Sequence, residues 1–252
     1  MELLQSILQL TNSAILIKRF TFILLLFFVG SEIQAQNLIS QNLQRFDNRK
    51  IHFGFSLGLN SGGFALQRKP NLSANDSLGS LNVINQGGFS LGIVSDYHIH
   101  PFFNVRFLPT LVFGQRNMEY KFINSRGPST SKIVTVESTY LDFPILFKYR
   151  SMRLNNFAAY FIGGVKYSVD LASNEDVLNE SINESIIKLK QNTTSAEVGV
   201  GTDFFLPYFK FAIELKMSYG LQNVMIRDNT ELSNPVEQIV PKMFFITFLF
   251  EG

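Results

Sequence analysis

Eight stretches of this chain alternate apolar side chains with polar or small ones, residue by residue. Period two places successive side chains on opposite faces and therefore reads as β-strand. The first runs from His52 to Asn60, with Phe53, Phe55, Leu57 and Leu59 against His52, Gly54, Ser56, Gly58 and Asn60. The second is Phe89 to Tyr97 and the third Phe103 to Phe113, where Phe103, Val105 and Phe107 oppose Asn104 and Arg106. The fourth spans about Val136 to Tyr149, the fifth Phe157 to Asp170, the sixth Ser195 to Phe205 and the seventh Phe209 to Tyr219. The eighth, Phe244 to Phe250, sets Phe244, Ile246, Phe248 and Phe250 against Phe245, Thr247 and Leu249. An aromatic-ended final strand of this kind suits the closing strand of an outer-membrane barrel.

The connections constrain the fold more than the strand count does. Segments 61–88, 114–135, 171–194 and 220–242 are long, whereas 98–102, 150–156 and 206–208 are short, in strict alternation. Long outer loops and short periplasmic turns are the mark of an up-and-down membrane barrel, and they put both chain ends at the short-turn side. The predicted fold is thus all-β, an eight-stranded antiparallel up-and-down transmembrane β-barrel over residues 51–252. A soluble secreted barrel would use the same alternation with its apolar face inward. The aromatic-ended last strand, the regular loop alternation and a charged fraction of only 17% favour the membrane version. The 26 Phe suit apolar β-faces, and the absence of Cys excludes disulfides, thiolate metal sites and a lipid-anchored cysteine. A net charge of +2 gives no reason to expect a nucleic-acid partner.

The polar face carries Arg106, Asp142, Lys148, Lys166, Asp170, Glu197, Asp203, Lys210, Glu214 and Lys216, mixed with Gly54, Ser56 and Gly58. An eight-stranded barrel is just wide enough for its own side chains, so these charges are expected to pair and plug the lumen.

Upstream, Lys18-Arg19 precede an apolar run from Phe20 to Val29, followed by Gly30, Ser31 and Ala35. This reads as a signal peptide over residues 1–35, cleaved after Ala35, and leaves residues 36–50 as a periplasmic N-terminal segment. The run is too short for a spanning helix, and an uncleaved anchor is the competing reading. Asn174 to Lys190 is either a short helix with acidic residues ahead of basic ones or a solvated loop.

The three histidines, His52, His98 and His100, all map to the short-turn end, so an enzyme at the outer rim lacks its base. His98 and His100 alone make an incomplete metal site. No catalytic, cofactor-binding or metal-ligating residue is assigned, no cofactor is expected, and the inward carboxylates read as packing ion pairs.

Five stretches together resemble the PorT family, outer-membrane β-barrel proteins of Bacteroidota linked to the type IX protein secretion system. They are His52 to Gly58, Arg106-Phe107-Leu108-Pro109-Thr110, Tyr140-Leu141-Asp142-Phe143-Pro144, Gly163-Gly164-Val165-Lys166-Tyr167 with Asp170 to Ser173, and Leu206 to Phe211 with Glu214-Leu215-Lys216. The long loops carry little of the likeness. The resemblance implies a non-enzymatic outer-membrane component or assembly factor of that secretion machinery. Its expected partners are outer-membrane lipid and other secretion-system proteins, without nucleic acid or a small-molecule substrate. A generic structural or adhesive barrel and a lipid-modifying barrel enzyme are the alternatives.

Overall fold

The computed structural model describes residues 41–68, 78–122, 130–173, 188–226 and 236–252. A 3-10 turn, Phe46–Asn48, precedes nine strands: β1 (Ile51–Arg68), β2 (Leu78–His100), β3 (Phe103–Phe107), β4 (Thr110–Phe122), β5 (Thr130–Arg150), β6 (Phe157–Asp170), β7 (Asn192–Phe205), β8 (Lys210–Gly220) and β9 (Val236–Glu251). All pairings are antiparallel.

The nine strands fill eight places in the wall. β3 and β4 both lie between β2 and β5, one above the other, separated only by Leu108 and Pro109. Pro109 has no N–H to give to the ladder, which interrupts the strand without changing its course. The Pro109 carbonyl still accepts from the Ile93 N–H at 3.0 Å, and Arg106, Leu108 and Val112 all stay on the buried side. β9 pairs with β8 on one side and with β1 on the other, from Gly54–Glu251 up to Arg68–Val236. That pairing joins the ends of the sheet, so the eight places form a ring, β1-β2-β3/β4-β5-β6-β7-β8-β9 and back to β1.

Burial follows the alternation with the polar face inside. Ser56, Asp96, Arg106, Lys148, Lys166, Asp203 and Glu214 are buried, while Phe53, Leu57, Ile93, Phe147 and Val165 are exposed. This is inverted relative to a soluble barrel and fits an apolar solvent around the wall. Rings on that outer surface stack across strands, Phe55 on Phe250 at 4.8 Å and Phe89 on Phe113 at 4.7 Å. Among the described residues, no helix is long and apolar enough to cross a membrane.

Several strands outrun the limits expected from the apolar alternation. β2 has 23 residues and β5 has 21, where about nine to eleven suffice to cross a bilayer. Much of the predicted long connections 61–88, 114–135 and 220–242 is therefore strand. The apolar alternation fades there because a wall beyond the lipid has no apolar solvent to face, yet Ile133, Val134 and Val136 keep strand propensity. At the far end the wall splits. Pairing of β1 with β2 stops at Gly62–Gln86, while β1 continues along β9 and β2 continues along β4. Of the segment read as a possible helix, Leu189 instead bridges Met225, and residues 174–187 lie outside those described. The signal-peptide reading also falls outside the described residues.

The closing seam depends on close backbone approach at Gly54, where a Cβ would overlap the Phe250 carbonyl. Gly54→Val is expected to abolish the compact, heat-modifiable band of the folded barrel on an SDS gel. Gly87→Ala, where a Cβ would meet nothing within 4 Å, is expected to leave that band unchanged.

Candidate functional site

The inner face gathers its charges into two layers. In the layer nearer the short turns, Arg106 on β3 is the hub. Its guanidinium donates to Asp96 of β2 at 2.8 and 3.0 Å, to Glu214 of β8 at 3.0 Å and to Glu251 of β9 at 3.2 Å. Only a planar fork with five N–H donors serves three carboxylates at once in this way. Lys210 donates to Glu251 at 2.7 Å, and Lys148 donates to both Asp203 oxygens at 2.8 and 3.0 Å. Asn104 completes Asp96 at 2.5 Å, and the Tyr160 hydroxyl donates to Glu214 at 3.0 Å. The layer thus joins strands from almost the whole circumference.

Tyr160 has room because its partner across the ladder is Gly201, where any Cβ would overlap the phenol ring. The same ring lies under the Lys148 ammonium, 3.8 Å from its centroid, so one aromatic face and one hydroxyl serve opposite charges.

The second layer is smaller. Lys166 of β6 donates to Asp142 of β5 at 2.9 Å and lies 3.4 Å from Glu197 of β7. Lys216 of β8 approaches the other Glu197 oxygen at 3.0 Å. Phe245 of β9 lies over both ammonium groups, 5.3 Å from Lys166 and 5.4 Å from Lys216. Along their strands, Leu146, Ile162 and Leu249 fall between the two layers and make an apolar belt. The cavities lined by the second layer hold only about 10 Å³ each, room for roughly one water. Among the described residues, the lumen at these two layers is filled by side chains.

The short-turn mouth is closed by the segment before β1. Phe46 points inward, stacks on the buried His52 ring at 3.8 Å and meets Phe205 edge-on at 5.9 Å. The Lys210 ammonium sits 4.9 Å from the Phe46 ring, linking this stopper to the ion network above it. Asp47 binds Arg150 at 2.8 Å and Arg153 at 3.3 Å, both from the β5–β6 end of the wall. Asn42 accepts from Arg153 through its carbonyl and donates to Asn156 at 2.8 Å and to the Phe205 carbonyl at 3.0 Å. Burial alone would raise the Asp47 carboxyl, but Arg150 and Arg153 together outweigh it and hold Asp47 below the usual aspartate value of 3.8.

The ten inward charges read from the sequence are all buried. Asp96, on the polar side of the second strand's alternation with Ser90 and Gly92, belongs with them, as do Glu251 and Tyr160, which the alternation did not single out. Glu251 was legible, since it continues the inward series Phe245, Thr247, Leu249. Phe46 and Asp47 had no periodic signal at all. Of the histidines, His52 is an inward strand residue under Phe46, His98 is half-buried at the end of β2, and His100 is exposed at the turn, its Nδ1 accepting from the Phe102 N–H at 3.4 Å. The structure does not bring the three together as one site.

The family model described as "Outer membrane protein beta-barrel domain" matches residues 34–225. No curated protein matches the chain. Among solved structures, the chain is similar to the outer membrane protein OprG of Pseudomonas aeruginosa at 16% identity, with a TM-score of 0.42, over 80% of this chain and 94% of that one. It is also similar to the attachment invasion locus protein Ail of Yersinia pestis at 12% identity and TM-score 0.34, over 81% of this chain and 100% of that one. Neisserial surface protein A is similar at 12% identity and TM-score 0.36, over 78% of this chain and 96% of that one.

Arg106→Met is expected to destabilise the barrel by about 3–5 kcal/mol, because three buried carboxylates lose their shared cation. Denaturant unfolding of the detergent-folded protein, followed by circular dichroism, measures it. Asp47 gives a separate expectation. Its folded-state value is depressed, so its contribution is present above the ordinary value of 3.8 and is lost as pH falls through the lower folded value. Hydrogen exchange at Phe46 and Asp47 should accelerate in that acid window, and Asp47→Asn should remove the pH dependence.

Proposed function

The chain belongs to the outer-membrane β-barrel domain family, and from that premise we propose that it is a non-enzymatic component or assembly factor of the type IX protein secretion system. Residues 1–35 serve as its export signal in this reading, and its short-turn end faces the periplasm. The observation that carries the proposal is where the PorT-like stretches fall in the fold. They hold Arg106, Asp142, Lys166, Lys210, Glu214 and Lys216 of the interior network, the β3–β4 interruption at Leu108-Pro109, and the tight Leu206–Phe209 turn. The resemblance is thus chiefly a likeness of the interior and of one short turn, with little of it in the long loops.

A filled interior assigns the barrel a fixed position in a machine and not the passage of its cargo. A folded or extended polypeptide needs a lumen, and among the described residues the cavities beside the second charge layer hold only about 10 Å³ each. The outer aromatic surface anchors the chain in lipid, the ion network makes it rigid, and its ends meet other proteins. The reading of a generic structural or adhesive barrel draws on a different feature, the extension of β2, β4 and β5 past the point where β1 and β2 part.

Deletion of the gene is expected to deplete many exported proteins from the medium while their precursors accumulate in the periplasm, as read by mass spectrometry. An unchanged set of exported proteins, in cells whose type IX system is active, would overturn the secretion role and leave the generic barrel.

A further inference from the structure

The two ends of the barrel differ in what they offer a partner, and the short-turn end is assembled as a surface. The segment at residues 41–50 and the turns at 98–102, 150–156 and 206–209 carry five cations, Arg45, Arg49, Lys50, Arg150 and Arg153, against the single carboxylate Asp47. Arg150 and Arg153 are the two that Asp47 neutralises. Arg45, Arg49 and Lys50 remain exposed. Arg45 and Arg49 flank the turn whose Phe46 stops the lumen, and the Lys50 carbonyl accepts from the His98 N–H at 2.8 Å where the segment joins the wall. Beside them stand apolar turn tips that no barrel contact requires: Tyr208 is 89% exposed, Leu154 71% and Met152 70%.

These pieces are tied into one platform. Asn42 is bonded to both Asn156 and Phe205, which carry the segment against the β5–β6 and β7–β8 turns. The Phe205 N–H in turn donates to the Asn156 carbonyl at 2.8 Å. A platform of this kind, with large exposed apolar side chains beside cations that pair with no carboxylate among the described residues, has the composition of a protein-binding patch. Lipid headgroups reach the perimeter of a barrel, whereas the backbone of Arg45 and Arg49 belongs to the turn whose Phe46 enters its mouth.

We infer that this platform docks an acidic surface of a periplasmic protein, with Arg45, Arg49 and Lys50 steering it and Met152, Leu154 and Tyr208 as anchors. The inference rests on the secretion reading for the kind of partner, and on the geometry for the place. Uncompensated positive charge sets orientation and encounter rate with an acidic face, and exposed side chains already held by a bonded frame lose little freedom on docking.

The test joins two measurements in native cells. The first is the triple variant Arg45→Glu, Arg49→Glu, Lys50→Glu, which leaves Phe46, Asp47 and the interior network untouched. The second is a benzophenone amino acid at position 208, irradiated in cells, with the adduct identified by mass spectrometry. The expected result is a folded, heat-modifiable triple variant at normal level in the outer membrane, with exported proteins reduced about tenfold or more. The adduct from position 208, formed with a protein whose periplasm-facing surface is acidic, should be lost in the triple variant. The variant Arg45→Lys, Arg49→Lys, Lys50→Arg should restore both. Normal secretion by a folded triple variant, with the adduct retained or formed only with lipid, would overturn the inference. If the triple variant does not fold, the single variants Arg45→Glu and Arg49→Glu, read by the same adduct, decide it. The arms separate the two levels of the argument. A deletion that leaves secretion unchanged defeats the secretion reading, whereas the position 208 adduct and its charge dependence report on the platform itself.

Discussion

A barrel of eight strands has no room for bulk water, and its outer wall faces hydrocarbon, so the inward charges are held chiefly by one another. Every other property of this fold follows from that restriction. Asp96, Asp142, Glu197, Asp203, Glu214 and Glu251 each lie within 3.0 Å of a cation. A buried pair is weak evidence of net stability, since desolvation consumes most of its attraction. Its more certain effect is on alternatives. Sliding any one strand by a single residue would turn its charges toward lipid and its aromatics into the lumen. The network therefore selects one register for the whole ring more strongly than it deepens the minimum.

The outward face does the complementary work with no directional chemistry. Phe55 and Phe250 stack across the β1–β9 seam, and Phe211 lies 6.2 Å from Phe248 across β8–β9. These contacts protect the places where main-chain ladders begin and end. No edge is left in the lipid, which is what a spanning sheet requires. The residues where backbones approach most closely are glycines facing a carbonyl or a ring, so space as well as charge is allotted at the seam.

Much of this was legible in the sequence, and the parts that were not have physical causes. Period two is enforced wherever one face meets lipid and the other a packed lumen, which is why the transmembrane halves of β6 and β8 were recoverable nearly to the residue. The enforcement ends with the lipid. Thr130 to Ser138 is strand, yet it carries too little apolar contrast to announce its length. The interruption at Leu108-Pro109 was invisible as a break because the parity of inward residues is kept across it. Glu251 was readable as the next inward position but was passed over at the end of an aromatic run. The stopper formed by Phe46 left no signal, because a single aromatic residue in a polar segment has no period, and its burial depends on Phe205, some 160 positions away in the chain. The type of secretion machinery is legible only through family likeness, since a filled barrel is a scaffold that many functions share.

Glu251 is the last inward side chain of the last strand, and it reaches both Arg106 and Lys210. The contact order of the β1–β9 pair is therefore nearly the full length of the barrel, and loop-closure entropy makes it the costliest pairing to find. Until it forms, Arg106 and Lys210 lack one of their carboxylate partners. Docking of β9 supplies Glu251 and the missing backbone partners together. Ring closure thus joins the main-chain ladders on both sides of β9 to the buried contacts of Glu251, and a sheet lacking its final strand would keep two open edges.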